Sequence, residues 1–175
     1  PWCTPDASTL DEVIEVTERC ASGALNYTVK DGSREEKPPP QNTLMVTCNG
    51  PYYLHGDLDI DAATDDMPGV KFRAALCRCG KSMNKPFCDG SHDDIHFKDY
   101  GAVGKRGAGL STEGGKITVR QLKDGPIIVE GNLTLYAGSG RKAWQGKKVP
   151  LCRCGASKNK PFCDGSHVEA GFKSE

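Results

Sequence analysis

The chain has no excess of charge of either sign: 23 basic residues stand against 23 acidic ones in a length of 175. A general nucleic-acid binder needs a basic face and usually a positive balance, so the composition argues against that class. Hydrophobic residues make up only 37%, and no apolar run approaches the roughly 18 residues of a membrane span. No signal-peptide pattern is found in these residues. Also missing are a Rossmann glycine fingerprint, a nucleophile–base constellation and paired carboxylates with an evident role. The expectation is a protein that is not itself an enzyme and has neither a nucleic acid nor a membrane as partner. What is present is 21 Gly, 11 Pro and 9 Cys. That mixture reads as short elements and many turns, organised around something other than a large apolar core.

An internal repeat sets the organisation. Residues 76–92 read LCRCGKSMNKPFCDGSH and residues 151–167 read LCRCGASKNKPFCDGSH, identical at 15 of 17 positions with an offset of 75. The same offset aligns Asn49-Gly50-Pro51 with Asp124-Gly125-Pro126 and Phe97-Lys98 with Phe172-Lys173. Two units follow, 41–100 and 116–175, joined by a Gly-rich flexible connector at 101–115. Asn-Gly and Asp-Gly are tight-hairpin dipeptides. Their flanks predict strands at 44–46 with 52–54 and at 117–122 with 127–129, and further strands at 57–60 and 132–136. Units of about 60 residues are hard to stabilise by burial alone, and a metal centre would supply what is missing. In the first 40 residues, Thr9 and Glu12 form a capping-box pattern, and Leu10, Val13, Ile14 and Thr17 share one face of a helix over 9–20. The charged, Pro-rich stretch 31–41 reads as a linker.

The chemistry lies in C-x-C-x8-C-x3-H, which occurs twice: Cys77, Cys79, Cys88 and His92, then Cys152, Cys154, Cys163 and His167. Residues i and i+2 of an extended segment point the same way, so each C-x-C can grip one ion. A separation of four brings Cys88 to His92, and Cys163 to His167, on one face of a helical turn. That pair suits a second, adjacent ion. Asp89 and Asp164 are placed to cap the ligand loop, and Gly90 to relieve its backbone. Cys3His is also a zinc set, but structural zinc sites favour C-x2-4-C. Disulfides fit poorly, because nine is odd and nothing indicates secretion. Reduced cysteines point to the cytoplasm. Arg78, Arg153, Lys85 and Lys160 either offset metal charge or form a solvated basic face, whereas His55 and His96 lack counterparts in the second unit and read as surface residues.

Cys88-Asp89-Gly90-Ser91-His92 and Cys163-Asp164-Gly165-Ser166-His167, each preceded by C-x-C and by Ser82 or Ser157, resemble the signature of the CDGSH iron–sulfur (NEET) family. The resemblance is to its tandem type, in which one chain carries two motifs and mimics a homodimer of single-motif chains. It implies a mainly β, small α+β fold, with two β-cap-like units in a pseudo-twofold arrangement and a short N-terminal helix. It implies two [2Fe–2S] clusters per chain, each held by three Cys and one His, with the first two cysteines on the inner iron. Electron transfer, redox sensing or cluster transfer to redox or cluster-acceptor proteins would follow, carried out by a monomer that contains its own pseudo-dimer. The alternatives are a zinc-stabilised interaction module and a non-catalytic redox subunit of an oxidoreductase. Separately, Pro1-Trp2 and Arg19-Cys20-Ala21-Ser22-Gly23-Ala24-Leu25 resemble the closing part of the divergent single-cluster 4Fe–4S ferredoxins. That family has Cys-Pro where this chain has Cys20-Ala21, and Cys3 and Cys20 cannot hold four irons alone, so residues 1–40 read as a remnant plus linker. Cys20 and Cys48 then read as small buried apolar side chains.

Overall fold

The computed structural model describes residues 4–174. A nine-residue helix α1 (Leu10–Glu18) opens the chain, and Thr9 and Glu12 form the expected reciprocal cap. The first repeat supplies strands β1 (Thr43–Val46), β2 (Tyr52–His55), β3 (Asp57–Ile60) and β4 (Arg73–Leu76), then a one-turn helix α2 (Ser91–Asp94). The second supplies β5 (Lys116–Gln121), β6 (Ile127–Tyr136), β7 (Lys142–Leu151) and the matching turn α3 (Ser166–Glu169). The architecture is mainly β, as expected. The sequence signals found β1, β2, β3 and β5 and both halves of β6, but gave no strand at β4 or β7.

Alternation places the core. Leu44 and Val46 of β1, and Ile117 and Val119 of β5, are buried at every second position, the two-residue period of a half-buried strand. They join Leu54, Ile127, Val129, Leu133, Leu135, Val149 and Leu151 in one apolar cluster drawn from both repeats.

The repeats exchange a strand. Within each, the first two strands pair antiparallel in the same register, Thr43 with His55 and Thr118 with Glu130. The third strand leaves its own unit: β3 runs parallel to β5, with Asp59 opposite Thr118. Reciprocally, the C-terminal half of β6 runs parallel to β1, with Thr134 opposite Thr43. Positions 43 and 118, like 59 and 134, are related by the 75-residue offset, so the pairing obeys a pseudo-twofold axis. β6 is continuous because the second repeat merges the equivalents of β2 and β3 through a register shift between Glu130 and Leu133, whereas the first repeat breaks between His55 and Asp57. Buried Asn42 fastens the exchange: its amide donates to the carbonyls of Gly115 and Asn132, and its oxygen accepts from the Asp57 N–H.

The connecting segments are docked on this scaffold. Residues 101–115 hold no helix or strand, yet Val103 enters the core and Gly101 accepts a hydrogen bond from the Gly138 N–H. The 31–41 stretch is likewise irregular, and its Glu36 pairs with buried Arg73. Cys48 departs from the expected buried position: it is exposed, because it sits in the loop between β1 and β2 rather than on a strand face. Cys20 is half-buried beside the Ser22 hydroxyl at 3.5 Å, and Cys3 lies outside the described residues. No helix among the described residues is long and apolar enough to cross a membrane.

Candidate metal centre

Each C-x-C leaves the end of a core strand, β4 or β7, so its first cysteine starts from a fixed backbone. The Cys77 N–H donates to the Pro86 carbonyl at 2.7 Å and the Cys152 N–H to that of Pro161 at 2.8 Å. The two sulfurs of each C-x-C then face the same way, 3.8 Å apart for Cys77 and Cys79 and 3.7 Å for Cys152 and Cys154. A returning segment brings the second pair. The Cys88 N–H donates to the Ala75 carbonyl and the Cys163 N–H to that of Pro150. On the following turn of helix, His92 Nδ1 lies 3.4 Å from Cys88 Sγ, and His167 Nδ1 3.4 Å from Cys163 Sγ. Both imidazoles thus turn the same nitrogen toward the cysteine.

The loop between the pairs is held by the residues the motif repeats. Ser82 and Ser157 are buried and donate to the carbonyls of Phe87 and Phe162 at 2.7 Å. Asp89 accepts from the N–H groups of Met83 and Ser91, and Asp164 from those of Lys158 and Ser166. The hydrogen bonds from Ser91 and Ser166, then from these backbone groups, hold both carboxyls well below the usual aspartate range. They organise the loop and point away from a ligand role.

The electrostatics suit a cationic centre. Within each C-x-C, one sulfur hydrogen-bonds the other and accepts from backbone N–H groups. The Cys77 thiol is pulled down to about 6 by Cys79 and by the N–H groups of Ser82 and Gly80, while Cys79 is pushed up. In the second repeat Cys154 is pulled down to about 6 and Cys152 pushed up. The lowering belongs to each pair as a whole and favours the thiolate, the form that binds metal. Behind the pairs lie Arg78 and Arg153, both buried, which removes the solvated-face reading for them. Their Nε groups donate to the carbonyls of Gly50 and Gly125 at 2.8 Å, and they stack over Phe97 and Phe172. Lys85 and Lys160 bond the carbonyls of Ser82 and Ser157. His55 and His96 are exposed, as expected.

The two sites meet at the pseudo-twofold axis. A Cβ on Gly80 would lie 2.6 Å from the Cys154 carbonyl oxygen, and one on Gly155 2.6 Å from that of Cys79. Both glycines also adopt positive φ, 83° and 79°, so nothing larger fits at either position. Tyr52 crosses between repeats, its hydroxyl donating to the Cys152 carbonyl at 2.8 Å. Sequence reasoning missed this residue, because Ile127 stands at its counterpart and the repeat comparison gave no signal. It missed Asp99, an ion-pair partner of Arg78, for the same reason: Ser174 stands opposite.

The donors fit an iron–sulfur centre better than a lone ion. Among the described residues, no three His, Cys, Asp or Glu side chains converge as a single-ion site. The donors come instead as two neighbouring pairs, close enough for Cys88 and Cys79 to feel each other's charge. A strand-exchanged β scaffold presenting paired thiol and thiol–imidazole donors from two equivalent loops defines a small metal-binding protein with two related sites. Residues 49–93 and 124–168, together about half of the chain, match the family described as iron-binding zinc finger, CDGSH type. The chain belongs to that CDGSH iron–sulfur family, in its tandem form. It is 43% identical over 52 residues to a CDGSH iron-sulfur domain-containing protein 2 homolog of Drosophila ananassae, a match covering 30% of this chain and 37% of that one. It is 39% identical over 54 residues to the homolog of Drosophila mojavensis, covering 31% and 39%. The chain thus spans little more than a third of the length of these curated relatives.

Proposed function

We propose that each motif holds one [2Fe–2S] cluster, and that the chain exchanges electrons or whole clusters with partner proteins. Cys77 with Cys79, and Cys152 with Cys154, would hold the inner irons; Cys88 with His92, and Cys163 with His167, the outer ones. When bound, such a centre supplies a one-electron couple, and replacing one thiolate with imidazole raises its potential relative to an all-cysteine site. The observation that carries the reading is the gradation in burial along both motifs: Cys77 and Cys152 are about 1% exposed, whereas Cys88, His92, Cys163 and His167 are half-buried. The inner donors anchor, and the outer donors face the medium where a partner docks.

The residues then have separate tasks. Within each C-x-C the mutual hydrogen bond lowers one thiol of the pair, which eases the loss of its proton when iron binds. Asp89 and Asp164 hold the outer donors in place, and Arg78 and Arg153 oppose the negative charge that three thiolates bring. An exposed imidazole edge is also where a proton competes with iron for the ring. Protein purified without oxygen should be coloured and contain about four irons and four sulfides per chain (two clusters), and should pass them to an apo-ferredoxin on mixing. Colourless protein with one zinc per motif would refute the reading.

A further inference from the structure

The repeat comparison is close enough that every charge can be matched to its counterpart, and the two sites do not balance. Segment 76–99 carries four basic and four acidic residues, and segment 151–174 four basic and two acidic. The two carboxylates lost are Asp93, replaced by Val168, and Asp99, replaced by Ser174. Both bear on the first site. Asp93 Oδ1 lies 3.7 Å from His92 Nε2, the ring nitrogen on the side away from Cys88. Asp99 forms an ion pair with buried Arg78. The matching Arg153 is held, among the described residues, by neutral groups: the carbonyls of Gly125 and Leu122, the Gln121 side-chain oxygen and the Phe172 ring.

Of the other differences, some cancel and some oppose this one in part. Lys81 faces Ala156 in the comparison, but Met83 faces Lys158. In the turn before β6, Lys123 and Asp124 are opposite charges where Cys48 and Asn49 are neutral, and Asp124 is ion-paired with Lys173. Asp61, Asp124 and Cys77 of the first motif act on Arg153 at longer range, with no ion pair to it among the described residues. The N-terminal segment, which belongs to neither repeat, adds a third asymmetry. Ser22, Gly23, Ala24 and Asn26 wall a cavity of about 420 Å³ that Cys88 also lines.

We propose that the two motifs are unequal redox sites, with Cys152, Cys154, Cys163 and His167 taking the first electron and Cys77, Cys79, Cys88 and His92 the second. The proposal rests on the reading that each motif holds a [2Fe–2S] cluster. A one-electron donor of low potential, such as a reduced flavoprotein or ferredoxin, converts one ferric iron of the second site to ferrous with no bond made or broken. A second electron then reduces the first site in the same way. A carboxylate beside the outer nitrogen of a ligating imidazole makes that ligand more electron-rich, and the buried Arg153, without a contact anion, favours the more negative reduced state. Both effects set the order, so an electron settles on the second site before the first.

The test is an anaerobic potentiometric titration of the holoprotein, followed by visible absorbance and electron paramagnetic resonance after iron and sulfide have been counted. Two one-electron steps are expected, separated by about tenfold or more in affinity for the electron, which is about 59 mV. Asp93→Val and, as a second and isosteric variant, Asp99→Asn should raise the lower step alone. Val168→Asp should lower the upper step alone. The gap should narrow at high salt, where exposed charges are screened. Two identical sites that merely repel would respond in the opposite way, with Val168→Asp moving the lower step and Asp93→Val the upper, and that result overturns the proposal. So do coincident steps in protein that carries its full iron. A metal count without two irons and two sulfides per motif refutes the cluster reading itself.

Discussion

At the scale of single residues, the carboxyls that hold the ligand loops stay ionised across the working range. Asp89 and Asp164 have carboxyls held low by the serine and backbone donors of the ligand loop. A depressed carboxyl contributes its stabilisation fully above its unfolded value of about 4, and loses it only as pH falls further, through the lower folded value. Neither carboxylate therefore loses its contribution between about pH 8 and pH 5, so loss of colour in that window would report on the histidines proposed as ligands. His92→Cys and His167→Cys should each slow acid bleaching at their own site by roughly tenfold, read as absorbance decay near pH 5.5. Asp89→Asn should leave the midpoint of that decay unchanged. The candidate donors were legible in the sequence because the same spacing stands at two places, and chemistry so specific has few other uses. Tyr52 and Asp99 were not, because each belongs to one repeat only and acts through space on a group far from it in the chain, and Asp93, though it adjoins His92, has no counterpart at Val168 to mark it.

At the scale of elements, hairpin chemistry and alternation located the strands whose turns are short and whose faces are unequal. β4 escaped because all four of its residues are buried, so no alternation marks it, and Arg73 and two alanines lack β propensity. β7 escaped because Lys147, Lys148 and Pro150 interrupt its pattern. The strand exchange itself carries no local signal: β3 would read the same whether it paired at home or across the axis. What fixes the exchange is a side chain. Asn42 sits at the crossing, and replacing it with Ala removes hydrogen bonds to Gly115, Asn132 and Asp57 in a buried place. At roughly 1 kcal/mol for each bond, Asn42→Ala should cost about 2–4 kcal/mol in denaturant unfolding. An unchanged midpoint would mean that the strand pairings hold the crossing without it. The metal motifs should still load in the variant at low denaturant, since no ligand segment is anchored on Asn42.

At the scale of the whole molecule, the two repeats are units of sequence but not of folding. Each lends the other its third strand, each fills the shared core, and each presses a glycine against the other's C-x-C carbonyl. The boundary read from the repeat, between 100 and 116, therefore divides the sequence where the structure has no seam. A lone repeat would expose one edge of its first strand, and in the first repeat β3 would also lose its partner, which is the condition that drives strand exchange between chains. Residues 41–100 and 116–175, produced separately, should each be unfolded or self-associated at low concentration. Mixed in equal amounts they should form a one-to-one complex with the circular-dichroism signature of the intact chain. Sedimentation analysis reads the outcome, and a stable, folded monomer of either fragment would sink the idea. Joining the halves in one chain makes that association intramolecular and removes the symmetry constraint a homodimer would obey. A homodimer could not keep Asp93 and Asp99 at one site while its counterpart carries Val168 and Ser174. The tandem fold thus lets the two sites of the molecule differ.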